Sequence, residues 1–212
     1  MSKWSFFILC LLILSGCDSL ISSKTSNQSS IREIALSENE EVIFSLLADR
    51  IFYFEFQDRT KQFQSIEIGV EYYYYGELVE SMGGLKMGAN DPELDSGDER
   101  VRLLFTIDSN EEGQELLLDG SLRLLFDSGS SGSTDYSFSR DLVERGANSW
   151  GYLFEEQEEV ILDKKMYSAY FVENIEKDYM RSFDLDVALQ PNTDFEHVYL
   201  YYIEISEKPL VD

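Results

Sequence analysis

Histidine and cysteine are nearly missing from these 212 residues: there is one His, His197, and two Cys, Cys10 and Cys17. A single imidazole excludes metal sites built on two or more histidines, the zinc motif His-Glu-x-x-His included. Two cysteines, one of them inside an apolar N-terminal run, leave no disulfide framework and no thiolate zinc site. Basic residues are scarce as well, with 17 Lys plus Arg against 41 Asp plus Glu and a formal charge of −24. Phosphate backbones repel such a chain, and no Lys/Arg run offers a local footprint, so nucleic acid is excluded as a partner. Long apolar runs are also lacking. The nine residues from Phe6 to Leu14 fall well short of the roughly 20 that a membrane-spanning helix needs. Apolar residues still make up 43% of the chain, enough for a packed core, so the acidity is a property of the surface of one folded domain.

The start of the chain carries the most specific motif. Lys3 precedes the apolar run, and Leu14-Ser15-Gly16-Cys17 closes it. These are the parts of an export signal. The last four residues resemble the lipobox of bacterial lipoproteins. The resemblance implies a diacylglyceryl group on the Cys17 sulfur, cleavage between Gly16 and Cys17, and acylation of the new amino terminus by a fatty acid such as palmitate. It covers only the first ~18 residues. The expected organisation is a signal peptide over 1–16, a lipidated Cys17 with a Ser-rich tether over 17–30, and one extracytoplasmic domain over 31–212. Two or three acyl chains anchor stably in a bilayer, and the tether reaches about 20 Å. Bacterial phospholipid surfaces are anionic, so an acidic domain held to one should be repelled by it.

Beyond Ile31 the dominant pattern is alternation with period two. Val101, Leu103, Phe105 and Ile107 alternate with Arg102, Leu104 and Thr106, and Phe183, Leu185, Val187 and Leu189 alternate with Asp184, Asp186 and Ala188. Similar runs, among them Val42 to Leu47, Ile51 to Phe56, Ile66 to Tyr75, Val160 to Phe171 and Val198 to Ile205, bring the expected total to nine or ten half-buried strands. No run of twelve residues has a helical period; short helices are expected at most over Ser139 to Arg145 and Asn174 to Arg181. The class is all-β, an antiparallel β-sandwich first and a β-barrel second. Glu38 to Phe44 echoes Glu156 to Leu162, a match better explained by two strand pairs with the same entry chemistry than by a duplicated half-domain.

Ser128 to Ser133 is rich in Gly and Ser but lacks the Gly-Lys-Ser/Thr of a phosphate loop, and no Gly-x-Ser-x-Gly elbow accompanies His197, which reads as a satisfied surface or strand-edge residue. Asp108 to Asp119 resembles the twelve-residue calcium loop of EF-hands, with Asp108, Asn110 and Glu112 at the first, third and fifth places, Gly113 sixth and Asp119 twelfth. The resemblance implies Ca²⁺ held by Asp108, Asn110, Glu112 and Asp119. Glu115, the short Asp119 and strand-like flanks depart from it, and a plain polar hairpin is the default. Tyr73 and Tyr75 share the acidic face of the 66–75 strand, where they could hold a cationic peptide or a glycan; ordinary cross-strand packing is the competing reading. Glycoside hydrolysis needs two carboxylates across a cleft, and no pair stands out among 41. The expectation is a membrane-anchored, non-catalytic binding domain for an envelope protein, cationic peptide or glycan. A calcium-dependent structural domain and a carboxylate hydrolase are the alternatives.

Overall fold

The structure, a computed structural model, describes residues 28–60, 62–88, 100–112, 115–127, 129–141, 146–154, 157–175 and 181–209. In chain order the elements are β1 (Ser30–Glu33), α1 (Glu38–Ser45), β2 (Arg50–Gln57), β3 (Ser65–Tyr74), β4 (Glu77–Gly88), β5 (Arg100–Glu112) and β6 (Glu115–Phe126). Then follow β7 (Ser131–Asp141), β8 (Ala147–Tyr152), β9 (Glu158–Glu159), β10 (Lys164–Asn174), α2 (Leu185–Ala188) and β11 (His197–Ser206). Six strands form one antiparallel sheet in the order β7-β6-β5-β2-β1-β9, and five form a second in the order β4-β3-β11-β10-β8. Neither sheet closes on itself, so the expected sandwich is the architecture and the barrel is not.

Alternation explains the core. Phe52, Phe54 and Phe56 on β2 point inward with no exposed surface, as do Ile66, Ile68 and Val70 on β3, and Leu103 and Phe105 on β5. Tyr199, Tyr201 and Ile203 of β11 complete the facing layer. Each such side chain contributes roughly 1.5–3 kcal/mol on burial, so the sheets are held mainly by these inward rows. The outward rows of the six-stranded sheet form two surfaces that concern function. Ile51, Leu104, Thr106 and Ser121 lie towards the α1 end, and Arg32, Glu55 and Arg100 towards the end where the chain enters.

That entry end is fixed by hydrogen bonds. Ser29 donates to Asp58 Oδ1 at 2.6 Å and accepts the Arg59 N–H at 3.1 Å. The Phe63 N–H donates to Asp58 Oδ2 at 3.4 Å, which ties the start of β3 to the end of β2, so that the registers Ser30↔Gln57↔Arg100 and Ser206↔Ser65↔Gly88 put β1's first residue and β11's last at the same end.

Three expectations are corrected. Val42 to Leu47 is not a strand: Glu38–Ser45 is helical, because Ser37 and Glu40 form a capping box and Glu38, Glu40 and Glu41 sit in the first turn, where the helix dipole favours them. Phe183 to Leu189 is not a strand either. Asp184 caps a single helical turn through the Val187 N–H at 3.2 Å, and the segment packs over Tyr73, Val172 and Leu200 on the outer face of the five-stranded sheet. The two echoing segments differ in structure, helix in the first and an edge strand plus turn in the second. Of the expected short helices, Ser139 to Asp141 and Asn174 are strand; residues 142–145 and 176–180 lie outside the described residues.

Candidate functional site

Helix α1 sits over the outer face of the six-stranded sheet without being buried in it; none of its residues is buried. Eight residues are too few to be a stable helix alone, so it must be held from outside. Phe44 packs its ring edge on Tyr53 at 6.0 Å. The turn after the helix is clamped reciprocally: Asp49 N–H donates to Asp108 Oδ1 at 3.0 Å, and Ser109 donates through both its N–H and its hydroxyl to Asp49 Oδ2 at 3.0 Å.

Between helix and sheet lies an open groove of about 640 Å³. Phe44, Leu47, Ile51 and Leu104 supply an apolar wall. Asp108, Asp119 and Asp135 also line it, Asp108 beside the turn after the helix, with Arg123 as the single lining cation. Val42, Ile43, Leu46 and Leu47 are 57–82% exposed, which extends the apolar surface beyond the groove's rim. An apolar patch of this kind on an otherwise acidic surface is where a binding partner is to be looked for.

The groove floor is built from hydroxyls. Between the pairs Phe105↔Leu122 and Asp108↔Asp119 the β5–β6 ladder opens. Thr106 Oγ1 accepts the Ser121 N–H at 2.8 Å, and the Tyr136 hydroxyl donates to the Thr106 carbonyl at 2.7 Å. Its proton so committed, Tyr136 accepts from Tyr201, whose hydroxyl lies 2.7 Å away in the core. Burial pushes both phenols far above their usual pKa, so they stay neutral donors. Gly120 makes the opening possible: a Cβ there would stand 2.0 Å from the Thr106 carbonyl oxygen and 2.3 Å from the Tyr136 hydroxyl.

The residues singled out in the sequence separate. Asp108 and Asp119 are brought together as cross-strand partners at the groove. Asn110 and Glu112 are not; they pair with Leu117 and Glu115 further along the hairpin. Side chains on one face of a strand are spaced about 7 Å apart, so Asp108 and Asn110 do not converge as they would in a calcium loop. Among the described residues no group of three His, Cys, Asp or Glu is arranged to hold a metal. Residues 113–114, the second acidic loop at 90–99, Gly16 and Cys17 lie outside the described residues.

Tyr73 does face outward beside Glu71, but it is only 9% exposed under the α2 segment. Tyr73 donates to Glu71 Oε2 at 2.7 Å and Tyr167 donates to the same oxygen at 2.6 Å, while Lys165 binds Oε1 and lies 4.1 Å over the Tyr202 ring. Burial alone would raise the Glu71 pKa, but the bonds from Lys165, Tyr167 and Tyr73 carry it below the usual carboxylate range. Tyr73 is pushed up to about 12, by burial first and then by its bond to Glu71. Tyr75 belongs to the β3–β4 turn, with φ of 46° followed by Gly76 at 82°, and its N–H donates to the Glu196 carbonyl at 2.9 Å. The strand alternation stops before it, so the two tyrosines form no common patch.

His197, expected near the surface, is 6% exposed. Tyr72, pushed up to about 12 by burial, keeps its proton, and its hydroxyl shares a 2.8 Å hydrogen bond with Nδ1, while Glu196 Oε1 lies 3.5 Å from Nε2. Burial, helped by the Arg140 charge, pushes the His197 pKa down to about 4. Arg140 bridges the two sheets through Glu173 at 2.7 Å.

Sequence reasoning missed the groove wall on α1 and the arginines gathered at the entry end. The Ser37-x-x-Glu40 spacing before an apolar run was the one signal that could have found α1. No helix among the described residues is long and apolar enough to cross a membrane. No curated protein and no solved structure matches the chain. One family model, described as the YgaN domain, matches residues 30–205, from the first residue of β1 into β11 and so across both sheets. The chain belongs to the YgaN domain family.

Proposed function

We propose that this chain is a lipid-anchored, extracytoplasmic binding domain without covalent chemistry, and that the groove beneath α1 receives its ligand. The observation that carries the reading is the groove's lining, which combines the apolar side chains of Phe44, Leu47, Ile51 and Leu104 with the carboxylates of Asp108, Asp119 and Asp135. A segment that alternates apolar and basic side chains satisfies both at once, so the ligand is a cationic peptide segment of an envelope protein. The Leu14-Ser15-Gly16-Cys17 motif supports the anchor, with Cys17 as the lipidated residue.

The test is made in cells. A photo-crosslinking side chain replaces Leu47, at the groove, or Lys164, exposed on the other sheet. One envelope protein captured from position 47 and not from 164, and lost when Asp108 and Asp119 become Asn, supports the reading. Equal capture from both positions contradicts it. Labelled palmitate incorporated by the native chain and absent from Cys17→Ala tests the anchor separately.

A further inference from the structure

A second cleft, on the same outer face but at the entry end, has the opposite chemistry. It measures about 250 Å³ and is lined by Arg32, Arg59 and Arg100 together with Gln57 and a single carboxylate, Glu55; Ser30 and Gln157 close it. In a chain of net charge −24, three guanidinium groups around one small cleft make a local reversal of sign. No sequence run announces it, because the three arginines come from β1, from the turn after β2 and from β5.

Its geometry is preformed. Cross-strand pairing sets Arg32 beside Glu55 and Arg100 beside Gln57. Glu55 is shared, with Oε1 2.8 Å from Arg32 Nη2 and Oε2 4.0 Å from Arg100 Nη1. Arg59 places Nε and Nη2 on Gln57 Oε1 at 3.2 and 2.9 Å. Glu55 is largely buried, with its side chain 9% exposed, whereas the Arg32 and Arg100 side chains are about half exposed, at 56% and 49%. The carboxylate therefore sits between Arg32 and Arg100, and both guanidinium-bearing side chains keep about half of their surface exposed.

We propose that this cleft binds a phosphate oxyanion. A planar carboxylate is satisfied by one guanidinium fork, whereas a tetrahedral phosphate offers oxygens to several at once, which suits three arginines converging on one space. Ser30 lines the cleft and lies thirteen residues after Cys17, a separation that a chain spans with at most about 45 Å. A phospholipid headgroup is therefore within range if Cys17 is lipidated, and that single point rests on the anchoring reading above. A free phosphate ester has the same chemistry, and the experiment separates the two sources.

The full chain in detergent is titrated with inorganic phosphate in a calorimeter. It is then sedimented with phosphatidylcholine vesicles with or without phosphatidylglycerol. Because the whole protein is repelled by anionic vesicles, any phosphatidylglycerol-dependent gain must come from a local site. The comparison is with R59Q/R100Q, which cancels any insertion by the N-terminal apolar run, and with R181Q at the opposite end of the sandwich. Saturable phosphate binding that weakens at least tenfold in R59Q/R100Q and is unchanged in R181Q supports the site. A phosphatidylglycerol-dependent gain lost in the same variant identifies a headgroup, and phosphate binding without that gain identifies a free ester. If R59Q/R100Q melts early, R59K/R100K replaces it, keeping both charges but losing the forks, and binding should weaken at least threefold. No saturable phosphate binding by the native chain, or binding that survives the substitutions, overturns the proposal.

Discussion

Acidification should destabilise this domain through one identifiable group. His197 is the chain's single histidine. Its neighbours are Tyr72 at Nδ1 and Tyr74, both on the adjoining strand β3, Glu196 Oε1 at 3.5 Å from Nε2, and, by its charge, Arg140 of the Arg140–Glu173 pair. Two influences oppose each other. Glu196 favours the imidazolium, while burial and Arg140 disfavour it, and the balance holds the pKa at about 4 against an ordinary 6.5. A histidine with a depressed folded pKa leaves the unfolded chain binding more protons between those values, so stability falls as pH drops through 6.5 towards 4. From about pH 7.5 to about pH 5 the loss integrates to about 2 kcal/mol. Carboxylates titrate in part of the same window, so the assay is a difference: urea unfolding of the native chain and of His197→Gln, whose amide can still accept from Tyr72. The native chain should lose about 2 kcal/mol more than the variant over that interval. The lone imidazole also gives an NMR signal assigned without mutagenesis. A measured pKa above 6.5 would show that Glu196 prevails over burial and would refute the reasoning.

Other outcomes follow from the same geometry. Glu71→Gln removes the charge that Lys165, Tyr73 and Tyr167 converge on, and thermal unfolding should show a loss of about 1–3 kcal/mol. Because the Glu71 pKa is lowered in the fold, its contribution is present above the unfolded carboxylate value and fades as pH falls through the folded one, so the gap between native and Glu71→Gln should narrow in acid. Asp49→Ala cuts the two hydrogen bonds that the Asp49 carboxylate accepts from Ser109 on β5, at a cost of about 1–2 kcal/mol, and hydrogen exchange should quicken at residues 38–48 while the paired β10 and β11 amides stay protected. Millimolar Ca²⁺ should give no saturable rise in Tm that Asp108→Ala abolishes, since Asp108 and Asn110 lie apart along an extended strand; such a rise would restore the calcium reading.

The sandwich was legible because inward residues such as Phe52, Phe54 and Phe56 keep period two over most of the strands, bulges in β4 and β10 apart, and burial on one face enforces that period. Helix α1 was read as a strand because Val42, Ile43, Phe44, Leu46 and Leu47 form a short apolar run that periodicity alone cannot assign; the capping box at Ser37 and Glu40 decides it. The α2 turn was hidden for a related reason: Phe183 to Leu189 alternates perfectly, yet the Asp184 cap and the apolar surface around Tyr73 turn it into a cover. Neither cleft could be read from the chain. The groove joins residues 44–51 to residues 104–137, and the arginine cleft joins Arg32, Arg59 and Arg100, so both exist only through sheet order.

The groove's role is tested most directly by titrating the isotope-labelled chain with a short leucine–lysine peptide and following backbone amides by NMR. Saturating shifts confined to Thr106, Ser121, Ser137 and the 44–51 segment are expected. They should be abolished by Leu47→Asp, a change at a 65% exposed site that should alter stability by no more than about 0.5 kcal/mol. Shifts scattered over the acidic surface, or a response that Leu47→Asp leaves intact, would contradict the account.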